Sequence, residues 1–199
     1  MSSQSRLLTH GLKEWEVVVS ALARGQTTIL LRKGGIRETK RQFLLEYQKV
    51  WLYPTYEHQK PQLLKPEYAE LVQEVPSGWH PREIPIQTYA EITHSWEVTK
   101  IEAIAKLEPY YVWQEQTIRE RFKWKPQQPL TVLCLRVSNL PKPITIPFYS
   151  SYGGCKSWID LQQSIATDSL IPVLSEPEYE QRVTEIMNII AQVEAETGF

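Results

Sequence analysis

Apolar positions recur along this chain with two different periods, and the alternation between them predicts a mixed α and β domain. Leu8, Leu12, Trp15, Val19 and Leu22 follow helical spacing, and Gly25 is placed to end that helix. Thr27–Arg32 is a short β-prone run closed by Gly34-Gly35, and Arg37–Arg41 reads as a basic turn. Phe43–Tyr53 is long, aromatic and β-prone. Pro54, Pro61 and Pro66 then break the chain into a loop, followed by a short helix around Glu67–Val75.

Beyond a proline-rich connector, Pro76–Pro85, the stretch Ile84–Val98 predicts one or two strands. Thr99 with Glu102 forms a capping box for a helix that stops before Pro109, and Gln114–Trp124 predicts another with Ile118 and Phe122 inward. Leu130–Val137 is the strongest strand pattern, and Ile144–Phe148 predicts a further strand. Lys156–Ile165 reads as a helix with Trp158, Leu161 and Ile165 on one face. A second capping box, Ser175 with Glu178, opens a last amphipathic helix. Its stripe is Tyr179, Val183, Ile186, Met187, Ile190 and Val193. The fold class expected is α+β: a mostly antiparallel, partly closed, barrel-like sheet with peripheral helices. Residues 1–170 are expected to form one domain, with the amphipathic helix of 171–199 docked on it or on a protein partner.

Composition narrows the chemistry. No apolar run approaches the ~20 residues that cross a bilayer, so no membrane role is expected. The first residues lack the apolar core of a signal peptide. Two cysteines, Cys134 and Cys155, are too few for a disulfide framework. The expected compartment is the cytoplasm. Net charge is −1, yet the last helix is acidic: six Glu and one Arg follow Ser175, leaving 17 acids and 21 bases upstream. Only Asp160 and Asp168 are aspartates, which counts against a two-metal nuclease or phosphatase. His10, His58, His80 and His94 are scattered and no metal-ligand spacing occurs, so neither a metal site nor a cofactor is expected.

Three short stretches carry the candidate chemistry. Arg32-Lys33-Gly34-Gly35 ends a strand with two cations and flexible backbone, fit either for phosphate or for a plain hairpin turn. Tyr53–Gln59 puts Tyr53, Tyr56, Glu57, His58 and Gln59 in one loop. There the rings can stack on a base and Gln59 can read its edge, or Glu57 and His58 can form an acid–base pair, or the loop can be structural. Gly153-Gly154-Cys155-Lys156-Ser157-Trp158 offers a Gly-Gly turn before a helix. It departs from a phosphate loop because Cys155 stands between Gly154 and Lys156 and Tyr149 holds the earlier glycine position. Cys155 is either a small buried residue or a nucleophile. Arg119, Arg121, Lys123 and Lys125 alternate with Glu120, Phe122 and Trp124; the rings are expected to pack inward, and the cations are fit either for phosphate or for solvent.

The motifs Leu12-Lys13-Glu14-Trp15, Leu30–Ile36, Leu52–Gln59, Arg121–Pro126 and Tyr152–Trp158 resemble, in order, the bacterial domain-of-unknown-function family eighteen-oh-two. That resemblance implies a nucleic-acid context linked to restriction–modification systems. At the level of fold, Trp15…Gly25…Leu30-Leu31-Arg32 is similar to the start of PUA-like barrels, the ASCH and EVE groups. The similarity implies RNA or modified-base binding in a cleft beside the first helix and strand. The expected function is therefore a non-enzymatic nucleic-acid-binding module, with Arg32, Lys33, Gly34, Gly35, Tyr53, Tyr56, His58, Gln59, Gly154, Lys156 and Trp158 at its site and no catalytic residue assigned. The alternatives are a hydrolase or nuclease using Glu57 and His58, and a scaffold that binds a protein partner through the last helix.

Overall fold

A computed structural model describes residues 6–33 and 45–196. Gly34, Gly35 and the basic run at Arg37–Arg41 lie outside these residues. The chain is α+β. Its strands are β1 (Leu7–Trp15), β2 (Ile29–Arg32), β3 (Lys49–Thr55), β4 (Glu83–Val98), β5 (Leu130–Pro147), β6 (Trp158–Ala166) and β7 (Ile171–Pro172). The helices are α1 (Glu16–Ala23), α2 (Pro66–Ala69), α3 (Glu102–Lys106), α4 (Glu115–Lys123) and α5 (Glu176–Ala195). The strands make one unclosed seven-stranded sheet in the order β2-β5-β4-β3-β1-β6, with β7 paired to β5. Every pairing is antiparallel except β1 with β3, which run parallel with Lys13 opposite Tyr53 and Trp15 opposite Thr55.

The spine is the β4–β5 ribbon, paired from Glu83 with Pro147 to Val98 with Leu130. Two bulges interrupt it, between Ile86 and Thr88 and between Ile92 and His94. Bulges sharpen twist and bend a strand. Here the first separates two apolar clusters: Ile84 and Ile86 belong with Trp51, Tyr53 and Tyr152, whereas Ala90 and Ile92 belong with Leu12, Leu52, Leu133 and the buried faces of the helices. The sheet curls far enough that the end of β2 meets β1, although three strands stand between them. Arg32 Nη2 donates to the Lys13 carbonyl at 2.9 Å and pairs with Glu14 at 3.0 Å. Side chains, rather than a backbone ladder, bridge that seam.

Two expected helices are strands. Residues 7–15 extend as β1, and the helix occupies only Glu16–Ala23. Pairing on both sides, to β3 and β6, outweighs the helical spacing of Leu8, Leu12 and Trp15. Gly11 passes so close to β6 that a Cβ there would stand 2.9 Å from Ile159 Cγ1. The run 156–165 is also no helix. Leu8 pairs with Ile165 and His10 with Asp160, so two steps along β1 match five along β6. The surplus residues bulge outward, and this mimics helical spacing between Leu161 and Ile165.

Helix α1 is buried on nearly all sides, through Val17, Val18, Val19, Ala21 and Leu22. It ends as expected at Gly25, which adopts φ +68° and donates to the Leu22 carbonyl while Gln26 donates to that of Ala21. A Cβ at Gly25 would stand 2.9 Å from Leu174 Cδ2. Gly25→Ala should therefore cost about 1–2 kcal/mol for the left-handed backbone alone, plus repacking of Leu174. A urea titration checks this, and an unchanged midpoint would refute it.

Helix α5 buries Tyr179, Val183, Ile186, Ile190 and Val193 in the main cluster, while Met187 faces out. Its capping box forms: Glu178 accepts from the Ser175 N–H at 2.9 Å. The box expected at Thr99 does not. The Thr99 hydroxyl donates instead to Glu194 at 2.6 Å, and Lys100 Nζ donates to the last carbonyls of α5, so the start of α3 is tied to the end of α5.

Candidate nucleic-acid interface

The parallel pair positions the cleft. β1 and β3 end side by side at Trp15 and Thr55, then part, β1 into α1 and β3 into the loop 56–60. Diverging connections at the carboxyl ends of parallel strands leave a crevice. Here it lies against the seam where Arg32 meets Glu14 and has a volume of about 760 Å³.

All three candidate stretches reach this cleft. Arg32, Lys33, Tyr53, Tyr56, His58, Gly154 and Lys156 line it. Gln59 and Trp158 do not. Gln59 is 5% exposed, and its Oε1 accepts from the Val17 N–H at 3.0 Å, capping the start of α1. Trp158 is half-buried against the core and meets Tyr47 edge-on. The cleft also recruits Lys13, Glu14, Trp79 and Trp113, which sequence reasoning missed, and Arg121 from the basic stretch. Trp124, expected to pack inward, is 45% exposed and lines the cleft.

Five cations line the cleft (Lys13, Arg32, Lys33, Arg121 and Lys156) against two carboxylates, Glu14 and Glu57. They fall into two groups by their neighbours. In the first, Glu14 and Arg32 pair with side chains only 10% and 17% exposed. Burial pushes the pKa of Arg121 down; the adjacent Glu14 carboxylate raises it and Arg32 lowers it further. The Arg121 guanidinium sits 4.8 Å from the Trp113 ring centre, and Trp113 is tilted against Trp15. Lys33 donates to the Phe122 carbonyl beside them. In the second group, Lys13 Nζ donates to the carbonyls of Tyr152 and Gly154 at 2.6 and 2.8 Å. Burial lowers its pKa, and Lys156 nearby lowers it further.

Rings form the walls. Tyr53 meets Tyr152, Tyr56 meets Trp79, and His80 stacks on Phe148 at 3.4 Å. Two polar atoms in this lining are buried without a hydrogen-bond partner, Arg32 Nε and the Tyr53 hydroxyl. Such atoms normally find one.

Glu57 and His58 pair at 3.0 Å on the rim, where His58 is 62% exposed and has φ +64°. Glu57 also accepts from the Gly78 N–H at 2.5 Å and the Ser77 hydroxyl at 3.2 Å. The Gly78 bond first, then His58 and Ser77, hold its carboxyl below the usual range despite some desolvation. A carboxylate so occupied is a weak proton acceptor at neutral pH. Cys155 lies at the cleft, exposed, with no helix behind it to activate its thiol; Cys134 is buried. Among the described residues no group of three His, Cys, Asp or Glu side chains could hold a metal, and no helix is long and apolar enough to cross a membrane.

The exposed Cys155 gives a direct occupancy assay. One thiol of the native protein should react with iodoacetamide, and both should react in denaturant. A ligand in the cleft should slow the native reaction; an unaltered rate with ligand bound would place that ligand elsewhere.

No curated protein matches the chain. Among solved structures, ASCH from Zymomonas mobilis is similar over 88% of this chain and 93% of that chain, at 14% identity and a TM-score of 0.43. A point mutant of the same ASCH protein gives 13% identity, 88% and 94% coverage and a TM-score of 0.44. The model of the domain of unknown function DUF1802 matches residues 11–185, and the chain belongs to that family.

Proposed function

We propose that this protein is a non-enzymatic nucleic-acid-binding module whose cleft takes an unstacked base among its rings and phosphate on its cations. The observation that supports this most strongly is convergence: three stretches far apart in sequence line one cleft with five cations and a ring-rich wall. Separate solvated loops would not do that. Cations alone would suit any polyanion, and rings alone any flat apolar molecule; the combination fits a single-stranded nucleic acid. The anionic, multiply bonded Glu57 disfavours the hydrolase reading. A restriction–modification or modified-base setting and a cytoplasmic location remain part of this reading.

Fluorescence anisotropy against short single- and double-stranded RNA and DNA tests it. Saturable binding should quench Trp emission and weaken steeply with salt, as phosphate contacts release counterions. Tyr56→Ala should cost about 1–3 kcal/mol if a base stacks there. Salt-independent binding, or unchanged affinity in that variant, would refute the reading.

A further inference from the structure

The cleft has two cationic groups rather than one, and each contains a buried donor with no partner. Arg32 Nε belongs to the group around Glu14 and Arg121. The Tyr53 hydroxyl belongs with Lys13, its cross-strand neighbour, and with Tyr152, whose ring lies 5.5 Å from its own and whose carbonyl holds the Lys13 amine. Tyr53 is 2% exposed. Burying a polar atom unpaired costs about 1–3 kcal/mol, a cost a ligand acceptor would remove. Each cationic group thus holds one donor without a protein acceptor.

The rim supports the same conclusion. Trp79 and Trp124 both line the cleft yet remain 43% and 45% exposed. Trp79 stands beside Tyr56 in the loop after β3, and Trp124 follows Arg121 at the end of α4. One exposed ring therefore accompanies each side of the lining. Large apolar rings at a rim are costly in water and useful for stacking bases that flank a bound one. The volume, about 760 Å³, also lies high in the range of about 300–1,000 Å³ typical of small-ligand pockets.

Building on the proposed function, we infer that the cleft grips two successive phosphates of a single strand, one at Arg32, Lys33 and Arg121 and one at Lys13 and Lys156. Its ligand is an oligonucleotide of at least two nucleotides, and a free base or mononucleotide fills only half the site.

The test is a length series: nucleoside monophosphate, dinucleotide, trinucleotide and hexanucleotide of one sequence, as RNA and as DNA, competed against a labelled hexamer. Affinity should rise at least about tenfold from the mononucleotide to the shortest strand with two phosphates, the gain of one charge-assisted contact. Lys33→Ala and the exposed Lys156→Ala should each reduce the salt slope for the hexamer by about 0.7. A mononucleotide that competes as well as the hexamer, or two variants of which only one changes the slope, would overturn the two-phosphate grip while leaving nucleic-acid binding intact. Absence of binding to any strand would instead overturn the proposed function, and the inference with it.

Discussion

A chain truncated after Leu174 should fail to fold. Helix α5 supplies five buried side chains to the main core, each stabilising by about 1.5–3 kcal/mol. Their combined loss is comparable with the entire stability of a domain, about 5–15 kcal/mol. The helix is also tied down by Arg182, which donates to the Gly25 carbonyl at 2.6 Å, and by Glu194 at the start of α3. Insoluble expression or loss of the cooperative urea transition is the expected result. The milder Ile186→Ala should cost about 2–5 kcal/mol, since that side chain is wholly buried. The scaffold reading requires the opposite: a folded, monomeric remainder that has lost a protein partner.

Glu14→Gln should destabilise the protein by about 3 kcal/mol, at the lower end expected when one partner of a buried ion pair is removed. Among the described residues the Glu14 carboxylate is the one acid paired with Arg32, and it is also the charge that offsets the burial of Arg121. Replacing it leaves two guanidiniums facing each other at the seam. Chemical denaturation reads the loss. Pairing Glu14→Gln with Arg32→Gln should recover part of it, because the double variant removes one stranded charge; strict additivity would argue against the coupling. A bound polyanion should also rescue Glu14→Gln more than the parent, since it supplies the missing negative charge.

The strands whose character comes from local composition were legible: Leu130–Val137 and Ile84–Val98 both lie within the β4–β5 ribbon. So were α4 and α5, whose stripes face the core. What misled was pairing that only the folded sheet supplies. β1 lies between two strands, and its apolar spacing happens to match a helix; β6 matches a helix because it bulges. The same displacement hid Lys13 and Glu14, which become cleft residues once β1 is extended. Gln59 was misplaced for a different reason. A polar side chain in a loop looks available until a helix N-terminus claims it. Trp124 was misplaced because a ring at a helix end reads as core, whereas here it follows the last turn of α4 and stands exposed at the cleft.

The position of β1 sets an order of events during synthesis. β1 is completed by β6, made much later: Gly11 pairs with Ile159 and Leu12 with Trp158. At about 5–20 residues per second, a ribosome needs on the order of 10 s or more to add the intervening segment. Throughout that interval Lys13 has emerged, but the carbonyls of Tyr152 and Gly154 that hold its amine do not yet exist. The cleft is therefore absent from every chain that stops short of Gly154. A ligand that fills this cleft would stabilise only chains in which Tyr152 and Gly154 have been made, so its protection would separate those chains from shorter ones.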